Sequence, residues 1–242
     1  HVVRRAPTTN PAGTGTKAAW WYRCTVPGGG RTQLRLRLHR PGPLAEGAGS
    51  AMSSDAAAWS GSAFAEVVEQ REREADEFYA AVAAGPLDEE RMRILRQAAA
   101  GLVWSKQFYL YSVGRWLDGD PGQPAPAAGH ASTRNAGWRH LDACDVLAMP
   151  DPWEYPWFAA WDLAFHAASW AHIDPAFAKY QLLVLLREWF LHPNGALPAY
   201  EWNFDDVNPP VHAVAAARVF EIDGGTDWDF LERVFQKLLL NF

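Results

Sequence analysis

Residues 153–166 read Trp153-Glu154-Tyr155-Pro156-Trp157-Phe158-Ala159-Ala160-Trp161-Asp162-Leu163-Ala164-Phe165-His166. Pro156 suits the first turn of a helix, where its missing N–H is one that the helix end leaves unpaired anyway. A helix is therefore expected from this point to about His172. Three tryptophans, a tyrosine and two carboxylates gather at its start. Flat aromatic faces beside an acid are what a sugar site needs, and the same residues would also suit a packed core.

The pattern on either side is helical. Asp174-Pro175 caps a following helix that runs to Leu191, where His192-Pro193-Asn194-Gly195 ends it. Pro209-Pro210 opens another to about Phe220, and Thr226 or Asp227 caps one that reaches the last residues. Upstream, Phe64 to Ala84 is a charged amphipathic helix stopped by Gly85-Pro86. Asp88, Glu89 and Glu90 start a second that is expected to run through Leu95, Leu102 and Phe108 to about Trp116. Six helices in three hairpins, with informative loops between alternate helices, suit a toroid of helical hairpins whose loops build a central cleft. Six is half of a twelve-helix barrel.

The loops carry the remaining signals. Asp118 to Gly137 is a long irregular stretch punctuated by Gly119, Pro121, Gly122, Pro124, Pro126 and Gly129, of the kind that flanks a site. Leu197 to Asn208 is aromatic and acidic, with Tyr200-Glu201-Trp202 at its centre. Residues 17–40 alternate with a two-residue period, clearest in Leu34-Arg35-Leu36-Arg37-Leu38, about a turn at Gly28-Gly29-Gly30, and predict a β-hairpin. The expected organisation is strands of an upstream β domain over 1–40, a linker over 41–62 rich in Gly, Ala, Ser and Pro, and the first half of a helical barrel over 63–242. The absence of an initial Met and the uncapped apolar run at the end read as cuts at both ends.

Composition excludes several classes. A formal net charge of −6 and an isoelectric point near 5.7 remove the basic footprint that nucleic acid or an anionic membrane would require. The longest apolar runs, such as Leu182 to Leu186, fall far short of the roughly 20 residues that span a bilayer. Cys24 and Cys144 show no disulfide-framework spacing, which points to a reducing, cytoplasmic setting. Of thirteen tryptophans, nine fall between Trp104 and Trp202. That enrichment favours a carbohydrate partner or an unusually aromatic core. His166 and His172 are six apart, off the spacing that sets two ligands on one helical face, so no metal and no cofactor are expected. No phosphate loop and no serine elbow occur.

Asp162 is the sharpest catalytic candidate, an acid on an otherwise apolar helix face beside Trp161, Phe158 and Phe165; capping backbone or pairing with an arginine is the structural alternative. Glu201, between Tyr200 and Trp202, is placed to grip sugar hydroxyls. Asp205 and Asp206 suit a turn. His212, one turn into its helix, either contacts substrate or fills core. Arg134 and Asn135, near Trp138, are either a tethered loop or a rim of hydroxyl-binding donors.

Three segments, WEYPWFAAWDLAFH, HPNGALPAYEWNFDDVNPPVHA and FLERVFQKLLLNF, together resemble bacterial members of glycoside hydrolase family 63, the group that includes the α-glucosidases that process oligosaccharides. The resemblance covers roughly Phe64 to Phe242. It implies an (α/α)6 barrel, mainly α and about half present here, preceded by a remnant β-hairpin of an N-terminal β-sandwich. It implies an inverting α-glucosidase acting on α-glucosides or oligosaccharides. Asp162 matches the general acid, and Tyr155, Trp157, Trp161, Tyr200, Glu201, Trp202, Asn208 and His212 fall in the segments that line the sugar cleft. The general base of such enzymes is a glutamate in a motif not found before Phe242, so this chain by itself is expected to be inactive. A carbohydrate-binding helical module without catalysis, or a phosphorylase or epimerase on the same barrel, would fit the same scaffold.

Overall fold

The computed structural model describes residues 4, 6–7, 9–15, 18–36, 62–83, 85–121 and 124–240. The chain divides into two units, His1–Ser60 and Gly61–Phe242.

In the first unit the described residues form turns and no helix or strand. Asn10 organises one turn, with Gly13 N–H donating to its carbonyl at 3.1 Å. At the other, Gly30 N–H donates to the Pro27 carbonyl at 2.8 Å, and Gly29 takes φ +72°, which a residue without a Cβ adopts freely. The turn expected at Gly28–Gly30 is there, but the hairpin expected over 17–40 is not formed over 18–36. The alternating Leu34 and Leu36 are 50% and 57% exposed, and an isolated two-stranded ribbon with no covered face gains too little burial to hold its pairing. Lys17 and residues 37–40 lie outside the described residues, as does the expected linker except Ser62.

The second unit begins with an αα-hairpin, α1 (Ser62–Val82) and α2 (Glu89–Trp104). Asp88 caps α2 by accepting the Arg91 N–H at 2.8 Å, and Arg96 ties the two helices by an ion pair to Asp76 and by lying 5.1 Å over the Tyr79 ring. The second helix does not continue to Trp116. It stops at Trp104, and Lys106–Ser112 forms a strand, β1, followed by the short helix α3 (Val113–Asp118). The run Phe108-Tyr109-Leu110-Tyr111 is rich in strand-favouring aromatics, and its side chains alternate: Tyr109 and Tyr111 point inward while Phe108 and Leu110 are 65% and 64% exposed. Its partner is β2 (Asp142–Ala148), antiparallel, with Tyr111 opposite Ala143 and Tyr109 opposite Asp145.

Four helices follow: α4 (Ala160–Trp170), α5 (Pro175–Val184), α6 (Val211–Ile222) and α7 (Trp228–Leu239). Asp174 caps α5 through the Phe177 N–H at 2.9 Å and Asp227 caps α7 through the Phe230 N–H at 3.1 Å. In α4 the buried positions are Ala160, Leu163, Ala164, Ala167 and Trp170, a 3–4 spacing that makes one inward stripe. Its alanines let the α6 face carrying Ala215 and Ala216 come close, so α4 packs on both α5 and α6, and α7 on both α5 and α6. Gln181 of α5 is fully buried and joins helix to sheet: its Oε1 accepts the Ala148 N–H at 2.9 Å and its Nε2 donates to the Val146 carbonyl at 3.0 Å. Lys179 links α5 to the α6–α7 turn through Asp223 and Asp227. The core between sheet and helices centres on Trp138, Trp157, Phe158, Leu163, Trp170 and Phe190, all at most 2% exposed. Each such large side chain contributes about 1.5–3 kcal/mol by leaving water. Among the described residues no helix is long and apolar enough to cross a membrane.

Candidate functional site

Two segments far apart in sequence meet ahead of α4. The Glu201 N–H donates to the Tyr155 hydroxyl at 2.7 Å, so the approach to α4 is joined to the Leu197–Asn208 loop. In that loop Trp202 has φ +59°, a conformation that bulky side chains rarely adopt and that costs of order 1–3 kcal/mol. It is held there by ring contacts to Tyr111 at 6.0 Å, Trp138 at 5.6 Å and Trp157 at 5.7 Å.

In front of Trp202 lies an open cleft of about 670 Å³ lined by Tyr109, Leu110, Tyr111, Trp116, Thr133, Arg134, Asn135, Glu201 and Trp202. One wall comes from β1 and α3, one from the end of the long irregular loop, and one from residues 201–202. Asn135 is buried and fully oriented: its Nδ2 donates to the Tyr111 hydroxyl at 2.8 Å and its Oδ1 accepts from the Thr133 hydroxyl at 2.6 Å. Arg134 extends over the rim, 3.4 Å from a Glu201 carboxylate oxygen. Burial first, and the Glu201 charge second, push the Tyr109 phenol well above the usual tyrosine range. Burial also raises Tyr111, an effect its bond to Asn135 opposes and the Glu201 charge reinforces. Both remain neutral hydroxyls that donate and accept, not phenolate nucleophiles. Aromatic faces, neutral hydroxyls, an amide and an ion pair in one cleft are the chemistry that recognises a polyhydroxylated ring.

A larger groove of about 1020 Å³ runs between α5 and α7. Its Lys179, Asp223 and Asp227 are engaged with one another, as are Lys237 and Glu188, and no residue expected at the site lines it. The smaller aromatic cleft is the better candidate.

Asp162 lies in the first turn of α4, half-buried, and does not line the cleft. Its carboxylate neither caps backbone nor pairs with a cation, and among the described residues it makes no hydrogen bond. Phe165, one turn on, is 58% exposed and Trp161 half-buried, with their rings 6.3 Å apart, so an accessible aromatic pair lies within a turn of the acid. Phe158, by contrast, is in the core.

The other residues expected from sequence divide into three groups. Glu201 and Trp202 line the cleft, with half-exposed Tyr200 and Tyr155 behind them. Trp157 does not: it is 2% exposed, stacked on Phe158 at 4.0 Å, and packs as core rather than as an accessible sugar plate. His212 is likewise core, 3% exposed, with its Nε2–H donating to the Leu182 carbonyl at 3.0 Å, and burial pushes its imidazole down to about 4. Asn208 directs its amide to the scaffold, accepting from the Trp161 N–H at 3.2 Å and donating to the Leu197 carbonyl at 2.8 Å. Tyr109, Tyr111, Trp116 and Thr133 went unrecognised in the sequence, although the Tyr109–Tyr111 alternation was the available signal. Among the described residues no three His, Cys, Asp or Glu side chains gather as a metal site.

Comparison with known proteins agrees with a carbohydrate reading. The yeast protein "Uncharacterized protein YMR196W" of Saccharomyces cerevisiae is 54% identical over 181 residues, which are 73% of this chain and 17% of that protein. The chain thus spans about a sixth of the length of this relative, which comes from a yeast and not from a bacterium. No solved structure gives a significant match. Residues 155–242 match the family model described as the mannosylglycerate hydrolase MGH1-like glycoside hydrolase domain, a stretch that holds Tyr155, Asp162, Glu201, Trp202 and Asn208. From Tyr155 onward the chain is thus similar to a glycoside hydrolase domain.

Proposed function

We propose that the chain forms part of an inverting α-glucosidase of the family 63 type, acting on α-glucosides or oligosaccharides, with Asp162 as general acid. The observation that carries this reading is the state of Asp162. In the first turn of α4, where the helix dipole favours an anion, its carboxylate neither caps backbone nor pairs with a cation among the described residues, and it lies one turn from the exposed ring of Phe165. It also falls inside the stretch that matches a glycoside hydrolase domain.

In an inverting reaction the acid protonates the glycosidic oxygen while a base about 6.5–9.5 Å away activates water on the opposite face of the ring. A second carboxylate must serve as that base. Because Asp162 does not line the cleft of Tyr109, Tyr111, Asn135, Glu201 and Trp202, that cleft holds a neighbouring unit of the oligosaccharide: the rings cover its apolar face, and the hydroxyls, amide and carboxylate meet its hydroxyls. The packing of α4 on α6 and of α5 on α7 fits consecutive hairpins of an (α/α)6 barrel, with residues 63–242 as its first half. The free cysteines Cys24 and Cys144 suit a cytoplasmic enzyme. The name of the matching family adds mannosylglycerate as a second substrate to try beside α-glucosides.

The test is Asp162→Asn in the full-length protein. A general acid contributes about 10²–10⁴-fold, so hydrolysis of an α-glycoside with a sugar or alkyl leaving group should fall by that factor. Turnover of such a substrate near the wild-type rate would remove Asp162 from the mechanism.

A further inference from the structure

The first N–H groups of a helix have no partner within the helix, and a Ser, Thr, Asp or Asn at the N-cap normally supplies one. At α4 the N-cap is Ala159, whose side chain can accept nothing. The acceptors come from elsewhere in the chain. The Ala160 N–H donates to the Pro198 carbonyl at 2.9 Å, and the Trp161 N–H donates to Asn208 Oδ1 at 3.2 Å. Both belong to the loop that carries Glu201 and Trp202. Asn208 also closes that loop on itself, since its Nδ2 donates to the Leu197 carbonyl at 2.8 Å. One side chain thus holds the amide next to Asp162 with one end and the base of the cleft loop with the other.

We infer that Asn208 is a positioning residue for Asp162: it fixes the first turn of α4, and with it the acid, relative to the loop that bears Glu201 and Trp202. This rests on the reading of Asp162 as the general acid. It also replaces the expectation that Asn208 touches substrate. A misplacement of about 1 Å in a reacting group costs on the order of 10²-fold in rate. That loss falls on the step needing the proton and spares a substrate whose leaving group departs without one.

The experiment compares kcat/KM in the full-length protein for two α-glycosides of one sugar, one with an alkyl leaving group and one with 2,4-dinitrophenolate. Four proteins are assayed: wild type, Asp162→Asn, Asn208→Ala and Asn208→Asp. Asp162→Asn should lose activity on the alkyl glycoside and keep most of it on the dinitrophenyl glycoside. Asn208→Ala should follow the same direction, losing about 10–10²-fold on the first and at most a few-fold on the second. Asn208→Asp keeps an acceptor for Trp161 but gives up the donor to Leu197, and should show a smaller loss with the same selectivity. Equal losses on both glycosides, or none, in the Asn208 variants would overturn the inference while leaving the acid in place. If Asn208→Ala does not fold, Asn208→Asp decides by the same criterion. If Asp162→Asn itself shows no leaving-group selectivity, the acid reading fails and takes the inference with it.

Discussion

Replacing His212 with Leu tests the reassignment of this residue from substrate contact to core, and does so through pH. The imidazole is buried between α5 and α6 and is held neutral, with its pKa pushed down to about 4 from the ordinary 6.5. Burial is the cause, opposed by the hydrogen bond to the Leu182 carbonyl. In the unfolded chain the same ring takes up a proton near pH 6.5. Between these two values the unfolded state binds more protons than the folded one, so stability is complete above about pH 6.5 and is lost as pH falls toward 4. Each unit of depression corresponds to about 1.4 kcal/mol, which makes the whole effect roughly 3 kcal/mol, of which about 2 kcal/mol falls between pH 7 and pH 5. At pH 7 His212→Leu loses the bond to Leu182, costing about 1 kcal/mol. At pH 5 the variant is free of the proton-linked loss, so its deficit should vanish or reverse. Urea unfolding of both proteins from pH 7 to pH 5 measures the difference directly, because carboxylates common to both cancel. A wild-type-minus-variant difference that stays flat over this range, or that grows on acidification, would refute the buried neutral ring.

Gln181→Leu should destabilise by roughly 2–4 kcal/mol, seen as a lower denaturation midpoint with unchanged slope, because the Ala148 N–H and Val146 carbonyl lose the partner on which β2 leans. Trp202→Ala should weaken oligosaccharide binding about tenfold, near 1.4 kcal/mol, when measured by calorimetry on an Asp162→Asn background that does not consume the ligand. Unchanged affinity would mean that the aromatic cleft is not where the sugar lies.

The helical part of the fold was legible where local chemistry decides it. Asp88 and Asp174 cap the helices that they were expected to start, and of Thr226 and Asp227 it is Asp227 that caps α7, each through the N–H three residues on. The sheet was not legible, for a physical reason. Between Trp104 and Trp116 there is no proline, and Gly114 alone interrupts the run, so Leu102 and Phe108 can be read as a continued helical stripe. What makes 106–112 a strand is its partner at 142–148, some thirty-six residues away, together with the Gln181 amide from a helix further still. A hydrogen-bond partner that distant leaves no mark in local periodicity. The first unit shows the converse: alternation at Leu34 and Leu36 is a genuine strand pattern, yet over the described residues it has no covered face to make a strand of it.

At the site, aromatic residues and acids behaved differently, and the contrast says what a sequence can offer. Trp157 and Trp161 looked equivalent, four residues apart beside the same acid, but Trp157 is stacked into the core while Trp161 stays half-exposed. A large ring satisfies a core and a sugar equally well, so its identity cannot separate them. A carboxylate is more discriminating, because burying or fixing one requires a partner. At the start of α4 the backbone is tied on every side: the Ala160 amide to Pro198, the Trp161 amide to Asn208, the Leu163 amide to the Ala159 carbonyl. The Asp162 carboxylate stands among these groups with no hydrogen bond or ion pair of its own among the described residues. An acid with no structural partner in a hydrogen-bonded first turn is compatible with proton donation to a bound ligand. For that reason the proposed acid role rests on Asp162 rather than on the tryptophans near it in sequence.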